Sequence, residues 1–181
     1  MSRKSLGVAV IGCGRIGTLR ANLASRYPAV NFIALSDAEQ HRADILAQRI
    51  GANFSTNNNL EAINHPSVNT VIVSTPEHDH KEAIIQALEA GKPVLIEKPI
   101  ALTLEDADAI INASSLTGTE FRVGYSRRHE RRWMLAKEQL LQNRLGEVIG
   151  IQSRVYNTRA QMLQILERSP KATPVLDVLT Y

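Results

Sequence analysis

The sequence has little cysteine, few aromatic residues and almost no excess of charge. Cys13 is the one cysteine among 181 residues, and aromatic residues make up 4%. A single cysteine excludes an intrachain disulfide framework and is typical of a reducing compartment. The net charge of +3 is too small to indicate nucleic-acid binding without a basic face. Apolar runs are too short to cross a bilayer, and the N-terminal run leads into glycines instead of a signal-peptide cleavage site. We therefore expect a cytoplasmic protein that binds neither nucleic acid nor membrane.

The most informative stretch is residues 8–17, VAVIGCGRIG, where an apolar run is followed by Gly12, Gly14 and Gly17. A strand, a G-x-G-x-x-G turn and a helix N-terminus in this order are typical of a dinucleotide-binding crossing. Gly12 would allow the tight turn, Gly14 the approach of a pyrophosphate, and Gly17 close packing of helix on strand. The spacing alone equally fits a tight turn without a ligand. The residues expected to bind the cofactor here are Gly12, Gly14, Arg15, Ile16 and Gly17.

An acidic residue follows the second apolar run at the distance that such a site requires. Residues 30–35 are mostly apolar and are followed by Ser36 and Asp37, about 20 residues beyond Gly17. Asp37 could accept hydrogen bonds from the ribose hydroxyls of NAD, or it could be an ordinary acid at a strand end. Its charge would repel a 2′-phosphate, which favours NAD, although NADP remains possible.

Alternating strand and helix patterns predict an α/β fold, a Rossmann-type doubly wound parallel sheet. The expected strands are 8–11, 30–35, 70–74, 93–96, 121–124 and 148–156. The expected helices are 18–25, 38–50, 77–90, 104–116 and 130–144, with a short turn at 60–64 and a polar loop at 53–59. We assign residues 1–123 to the dinucleotide-binding domain and residues 124–181 to the beginning of a second, incomplete domain.

Two later strand ends also carry polar residues. Ser74, Thr75 and Pro76 follow one strand and are expected to line a cofactor cleft, although the same residues suit a helix start. The histidines that follow, His78 and His80, are two residues apart and do not share a helical face, so we expect no metal site.

The other strand end is Glu97-Lys98-Pro99. A lysine at the carboxyl edge of the sheet could hydrogen-bond a substrate hydroxyl and stabilise oxyanion charge during hydride transfer. The alternative, from the residues alone, is a surface Glu–Lys pair.

GCGRIG, Asp37, STPEHDH, EKP and VGYSRR, in this order, resemble the Gfo/Idh/MocA family of glucose–fructose oxidoreductase and inositol dehydrogenase. The resemblance is strong to about residue 128. It implies NAD or NADP, a Rossmann domain, a second α/β domain with a mostly antiparallel sheet, homo-oligomers, and sugar, inositol or polyol substrates. It also implies that Lys98 is the catalytic lysine. The implied cofactor-cleft positions are Gly12, Gly14, Gly17, Asp37, Thr75, Pro76, His80 and Glu97.

The family's late motif, an Asp followed four residues later by His, matches Asp177 and Tyr181. The resemblance implies that both are catalytic, with Tyr181 as the acid-base; the alternative is that Tyr181 is only the last residue of a cut chain. Tyrosine replaces histidine here, as in some relatives, and the glycines that usually surround the motif are absent. Since the 181 residues end within this motif, we expect little or no dehydrogenase activity from them alone. The alternatives are an inactive dinucleotide-binding module or a nucleotide-sensing regulator.

Overall fold

The computed structural model describes residues 5–152, 154, 156 and 158–168. The chain divides into two compact units, one ending at Val123 and the other beginning at Gly124.

The first unit is a six-stranded parallel sheet in the order β3-β2-β1-β4-β5-β6. Its strands are β1 (Leu6–Ile11), β2 (Val30–Ser36), β3 (Phe54–Thr56), β4 (Thr70–Val73), β5 (Val94–Ile96) and β6 (Phe121–Val123). Its helices are α1 (Arg15–Ser25), α2 (Gln40–Ile50), α3 (Asn59–Asn64), α4 (His80–Glu89) and α5 (Leu104–Thr117). The strand order reverses at β1, which opens a crevice beyond its carboxyl end. The predicted Rossmann fold is confirmed.

The sheet is buried on both faces by helices. Side chains alternate along β1, so Ala9 and Ile11 pack with residues of α3, α4 and α5. Val8 and Val10 pack on the other face, with residues of α1 and α2. Burial on two sides explains why this strand reads as a continuous apolar run.

Two predicted helix ends are confirmed. Gly51 follows α2 in the left-handed conformation, with φ of 69°. The Thr103 side chain caps α5 by accepting a hydrogen bond from the backbone N–H of Asp106 at 3.1 Å.

The predicted loop at residues 53–59 is wrong in part, because it contains the edge strand β3. Asn53 begins the pairing with β2: its side-chain oxygen accepts from the Ile33 N–H, and its own N–H donates to the Ile33 carbonyl, both at 2.9 Å. The strand is three residues long and mostly polar, so its sequence shows no strand pattern. Helix α1 also begins at Arg15, three residues earlier than expected.

The second unit, where the structure describes it, contains a 3₁₀ turn at Ser126–His129 and the helices α6 (Arg131–Leu141) and α7 (Arg159–Arg168). The strand predicted for residues 148–156 is wrong: its described residues, 148–152, 154 and 156, form no strand. A strand needs a hydrogen-bonded neighbour, and the described residues of this unit supply none. Ile149 is accordingly 98% exposed.

Candidate functional site

Four strands of the first unit end level with one another at the carboxyl edge of the sheet. Ile11 at the end of β1 is in register with Ser36 and Val73, and Val73 is in register with Ile96. The residues that come next in the chain are therefore neighbours along this edge: Gly12, Asp37, Ser74 and Glu97. The sequence motifs thus meet at the place where open α/β sheets bind ligands.

The three glycines of the first turn have different surroundings. Gly12 has φ of +89°, and an added Cβ would lie 2.8 Å from the Ser74 carbonyl. At Gly17 an added Cβ would lie 1.7 Å from the Gly12 oxygen. The fold itself therefore requires both residues to be glycine. Gly14 is different, since an added Cβ would meet no atom within 4 Å. The open space beside Gly14 is available to a ligand.

Helix α1 begins in this open space. Gly14 is its N-cap, and the first intrahelical bond runs from the Thr18 N–H to the Gly14 carbonyl at 2.8 Å. The N–H groups of Arg15, Ile16 and Gly17 precede that bond and have no acceptor within the helix. Free N–H groups and the positive end of the helix dipole make this position suitable for a phosphate.

Asp37 connects the end of β2 to the glycine turn. One carboxylate oxygen accepts from the Cys13 N–H at 2.7 Å, and the other accepts from the Glu39 N–H at 3.0 Å. A carboxylate has about four acceptor positions, so about two are left for ribose hydroxyls. Asp37 therefore both holds the turn and keeps capacity for a ligand.

Cys13 lies within the glycine turn, but its thiol is unreactive. Its thiol is buried, and Sγ lies 3.6 Å from the Ser36 carbonyl. Burial, and secondarily the negative charge of Asp37, raise the pKa of Cys13 to about 12. The thiol therefore stays protonated near neutral pH and is a poor nucleophile.

The segment after β4 is bound to the same turn. The Ser74 hydroxyl donates to the carbonyls of Gly12, at 3.0 Å, and Ile11, at 3.2 Å. The buried Thr75 Oγ1 has no hydrogen-bond partner among the described residues. Pro76 is exposed and precedes a 3₁₀ turn at Glu77–Asp79. A buried hydroxyl without a partner is unusual in a folded protein, and this one follows the carboxyl end of β4.

The segment after β5 contains a contact that the sequence analysis missed. Arg20 Nε donates to Glu97 Oε1 at 2.6 Å, so the carboxylate is paired within the protein. The available signal was helical spacing: Arg20 lies three residues after Gly17, on the face of α1 that packs on the sheet. Lys98 follows, half-buried, and Pro99 after it is buried.

His80 was expected at the cofactor cleft, but the structure buries it to 1% exposure. Its ring nitrogens lie 3.0 Å from the carbonyl oxygens of Pro99 and Thr75. His80 therefore lies beneath the cleft surface, and any part in cofactor binding would be indirect.

The remaining site predictions concern metals and the late motif. Within the described ranges, no group of three or more His, Cys, Asp or Glu residues is placed to hold a metal ion. The helices of the same ranges include none that is long and apolar enough to cross a membrane. Asp177 and Tyr181 lie outside the described residues, so their catalytic roles stay predictions.

A cavity of about 180 Å³ lies between the start of α1 and helix α2. It borders the glycine turn at Cys13 and is lined on α2 by basic side chains, including Arg42 and Arg49. Arg42 pairs with Glu39 at 2.8 Å.

A parallel sheet that reverses its order at β1, a glycine turn before a helix, and an acid after β2 define a dinucleotide-binding Rossmann fold. The model of the family described as "Oxidoreductase family, NAD-binding Rossmann fold", GFO_IDH_MocA, matches residues 6–125. The chain belongs to this family, which confirms the resemblance seen in the motifs and the expectation of NAD as the cofactor.

Relatives in the family include inositol dehydrogenases. The chain is 32% identical over 142 residues to the scyllo-inositol 2-dehydrogenase (NAD(+)) of Bacillus subtilis, covering 78% of this chain and 42% of the relative. It is 30% identical over 166 residues to the inositol 2-dehydrogenase of Rhizobium meliloti, covering 92% and 46%. It thus spans less than half the length of these curated relatives.

A solved structure has a similar fold. This is the scyllo-inositol dehydrogenase of Lactobacillus casei, solved with bound NAD(H) and scyllo-inositol, with a TM-score of 0.84 and 24% identity. The match covers 96% of this chain and 53% of that one.

Proposed function

We propose that the protein is an NAD-dependent dehydrogenase that transfers a hydride between the nicotinamide and a hydroxyl-bearing carbon of a sugar, inositol or related polyol. The observation that carries the proposal is the level ending of β1, β2, β4 and β5, which places the glycine turn, Asp37 and Lys98 along one edge. The inositol dehydrogenases among the relatives support the substrate class.

The residues along this edge fit a dinucleotide. Gly14 leaves open space at the N-terminus of α1, where the N–H groups of Arg15 and Ile16 would bind the pyrophosphate. Asp37 would accept hydrogen bonds from the ribose with the acceptor positions that Cys13 and Glu39 leave open. Thr75 offers a buried hydroxyl that has no partner among the described residues. When bound, NAD supplies the nicotinamide that takes up or gives back the hydride.

Lys98 would act on the reacting oxygen. It comes two residues after β5, just beyond the strand end that is paired into the sheet at the ligand-binding edge. Its ammonium group would orient the substrate hydroxyl and stabilise negative charge that develops on the oxygen. Tyr181, supported by Asp177, would exchange the proton.

We infer a preference for NAD over NADP from the surroundings of Asp37. A 2′-phosphate beside this buried carboxylate would bring like charges together. Arg42, the nearest cation on α2 in sequence, is already paired with Glu39.

Calorimetry with NAD, followed by a spectrophotometric screen of inositols, hexoses and their acids, tests the proposal. We expect NAD to bind, and any turnover of a polyol to be lost in Lys98→Ala. The control Lys81→Ala removes a half-exposed lysine of the same unit that pairs with Asp106, and it should keep the parental rate.

The outcomes separate the candidate functions. NAD binding without turnover of any polyol would favour the binding module or regulator considered above. Turnover that survives Lys98→Ala would exclude Lys98 as the catalytic lysine. Absence of NAD binding would contradict the proposal as a whole.

A further inference from the structure

The buried ring of His80 joins the two segments that form the candidate cleft. His80 is the first residue of α4 and is 1% exposed. Nδ1 lies 3.0 Å from the carbonyl oxygen of Pro99, the residue after Lys98. Nε2 lies 3.0 Å from the carbonyl oxygen of Thr75, the residue with the unsatisfied hydroxyl.

Both partners of the ring are acceptors, which limits the number of hydrogen bonds that it can make. A neutral imidazole carries one N–H, whereas the imidazolium carries two. A neutral His80 can therefore donate to Pro99 or to Thr75, but only the charged ring can donate to both. The number of hydrogen bonds that the ring donates to the two segments therefore depends on whether the ring is protonated.

Burial and the neighbouring polar groups shift the pKa of His80 in opposite directions. Burial, the largest cause, lowers the pKa of His80 below its ordinary value of 6.5. Hydrogen bonds with the backbone of Thr75, Pro99 and Ile100, together with the Glu77 carboxylate, oppose this effect. The other charged groups on the surrounding segments are Asp79, Glu97, Lys98 and the Lys81–Asp106 pair; Glu97 is paired with Arg20. We therefore expect the second proton to bind only below about pH 6.5.

We propose that His80 is a positioning residue for Lys98, tying the turn that carries this lysine to the Thr75 segment through its two ring nitrogens. The consequence for catalysis rests on the proposed function of Lys98. The link itself does not, so it can be tested on the cofactor-free protein.

Three substitutions separate the two links. His80→Asn places a donor amide near the position of Nδ1 and should keep the bond to Pro99. His80→Gln places one near the position of Nε2 and should keep the bond to Thr75. His80→Leu removes both. The control His78→Asn changes a half-exposed histidine of the same turn that pairs with Asp79.

Two backbone amides report on the two segments. The Glu97 N–H donates to Val73 beside Lys98, and the Asp79 N–H donates to Pro76 beside Thr75, both at 2.9 Å. Their hydrogen-exchange protection, corrected for the intrinsic pH dependence of exchange, is measured together with the ¹⁵N resonances of the imidazole. Because the pKa of His80 is lowered in the folded protein, protonation favours the opened segments. As pH falls below about 6.5, we therefore expect the protection of both amides to fall together, with the midpoint at which both His80 nitrogens become protonated.

The variants should lose protection selectively. His80→Asn should weaken protection at Asp79 but not at Glu97, His80→Gln should do the reverse, and His80→Leu should weaken both. In all three the pH dependence should disappear, whereas His78→Asn should behave like the parent.

The proposal is overturned if His80→Leu keeps the parental protection at both amides, or if the protection of both amides is independent of the titration of His80. Equal loss at both amides in all three variants would also overturn it, because the ring would then act by packing alone. If the variants do not fold, the titration of the parent protein decides.

Discussion

Gly14 and Gly17 allow cofactor binding and folding to be tested separately within one motif. An added Cβ at Gly14 meets nothing within 4 Å, and the backbone there has φ of −67°, which any residue can adopt. An added Cβ at Gly17 would lie 1.7 Å from the Gly12 oxygen. We therefore expect Gly14→Ala and Gly14→Val to spare the fold, and Gly17→Ala to damage it.

The magnitudes follow from these contacts. Replacing glycine by alanine at an N-cap costs up to about 1 kcal/mol, and the loss of unfolded-state freedom returns about 0.4–1 kcal/mol. The net change for Gly14→Ala is therefore close to zero. Gly17→Ala forces the turn and the helix apart, at a cost of about 1–3 kcal/mol or more. That cost corresponds to a fall in Tm of about 3–10 °C.

Substitution at Gly14 should lower NAD affinity although it hardly changes stability. A side chain there fills the space through which we expect the pyrophosphate to approach, so Gly14→Val should lose at least about tenfold in NAD affinity, or about 1.4 kcal/mol. Calorimetry gives the affinity, and thermal unfolding of the same samples gives the stability. Parental affinity in a folded Gly14→Val protein would refute the assignment. A Tm loss at Gly14 as large as that at Gly17 would refute the structural reasoning.

Two further predictions concern the acid and the thiol beside this turn. Asp37→Ser should narrow the preference for NAD over NADP, because it removes the charge that repels a 2′-phosphate; equal affinity of the parent for both cofactors would contradict this. Cys13 should resist iodoacetamide in the native protein and react once urea unfolds it, since burial raises its pKa to about 12. The unfolded thiol loses its proton near its ordinary pKa of 9.0, so the free energy of unfolding should fall as pH rises from about 9 towards 12. Cys13→Ala should show a flatter decline over that range, and identical profiles would argue against a buried protonated thiol.

The fold could be predicted from the sequence where local signals and burial agree. Residues 8–17 combine an apolar strand with glycines at fixed spacing, and β1 is buried on both faces. Strands at the edge of the sheet, and segments whose structure depends on a partner strand, were harder to predict. β3 is held by backbone pairing that Asn53 starts, and that pairing has no pattern in the sequence. The run at 148–156 has a strand-like pattern without a strand to pair with in the described part of its unit.

The site could be predicted as an edge of the sheet, but not as a network of contacts. The motifs indicated which residues follow the strands, and the register shows those strands ending level. The pairing of Arg20 with Glu97 joins residues that are 77 positions apart, and neither residue type specifies its partner. His80 fits a cleft position by its motif, whereas packing of the Thr75 and Pro99 segments against the start of α4 places its ring beneath the surface.

The most direct test of the central claim is to map NAD binding on the ¹⁵N-labelled protein by amide chemical shifts. We predict that NAD moves the amides of Cys13, Gly14, Arg15 and Asp37. The amides of Gly7 and Asn69, at the opposite edge of the sheet, should not move. Shifts confined to that opposite edge or to residues after Val123, or no shifts at millimolar NAD, would contradict a dinucleotide site at the carboxyl edge.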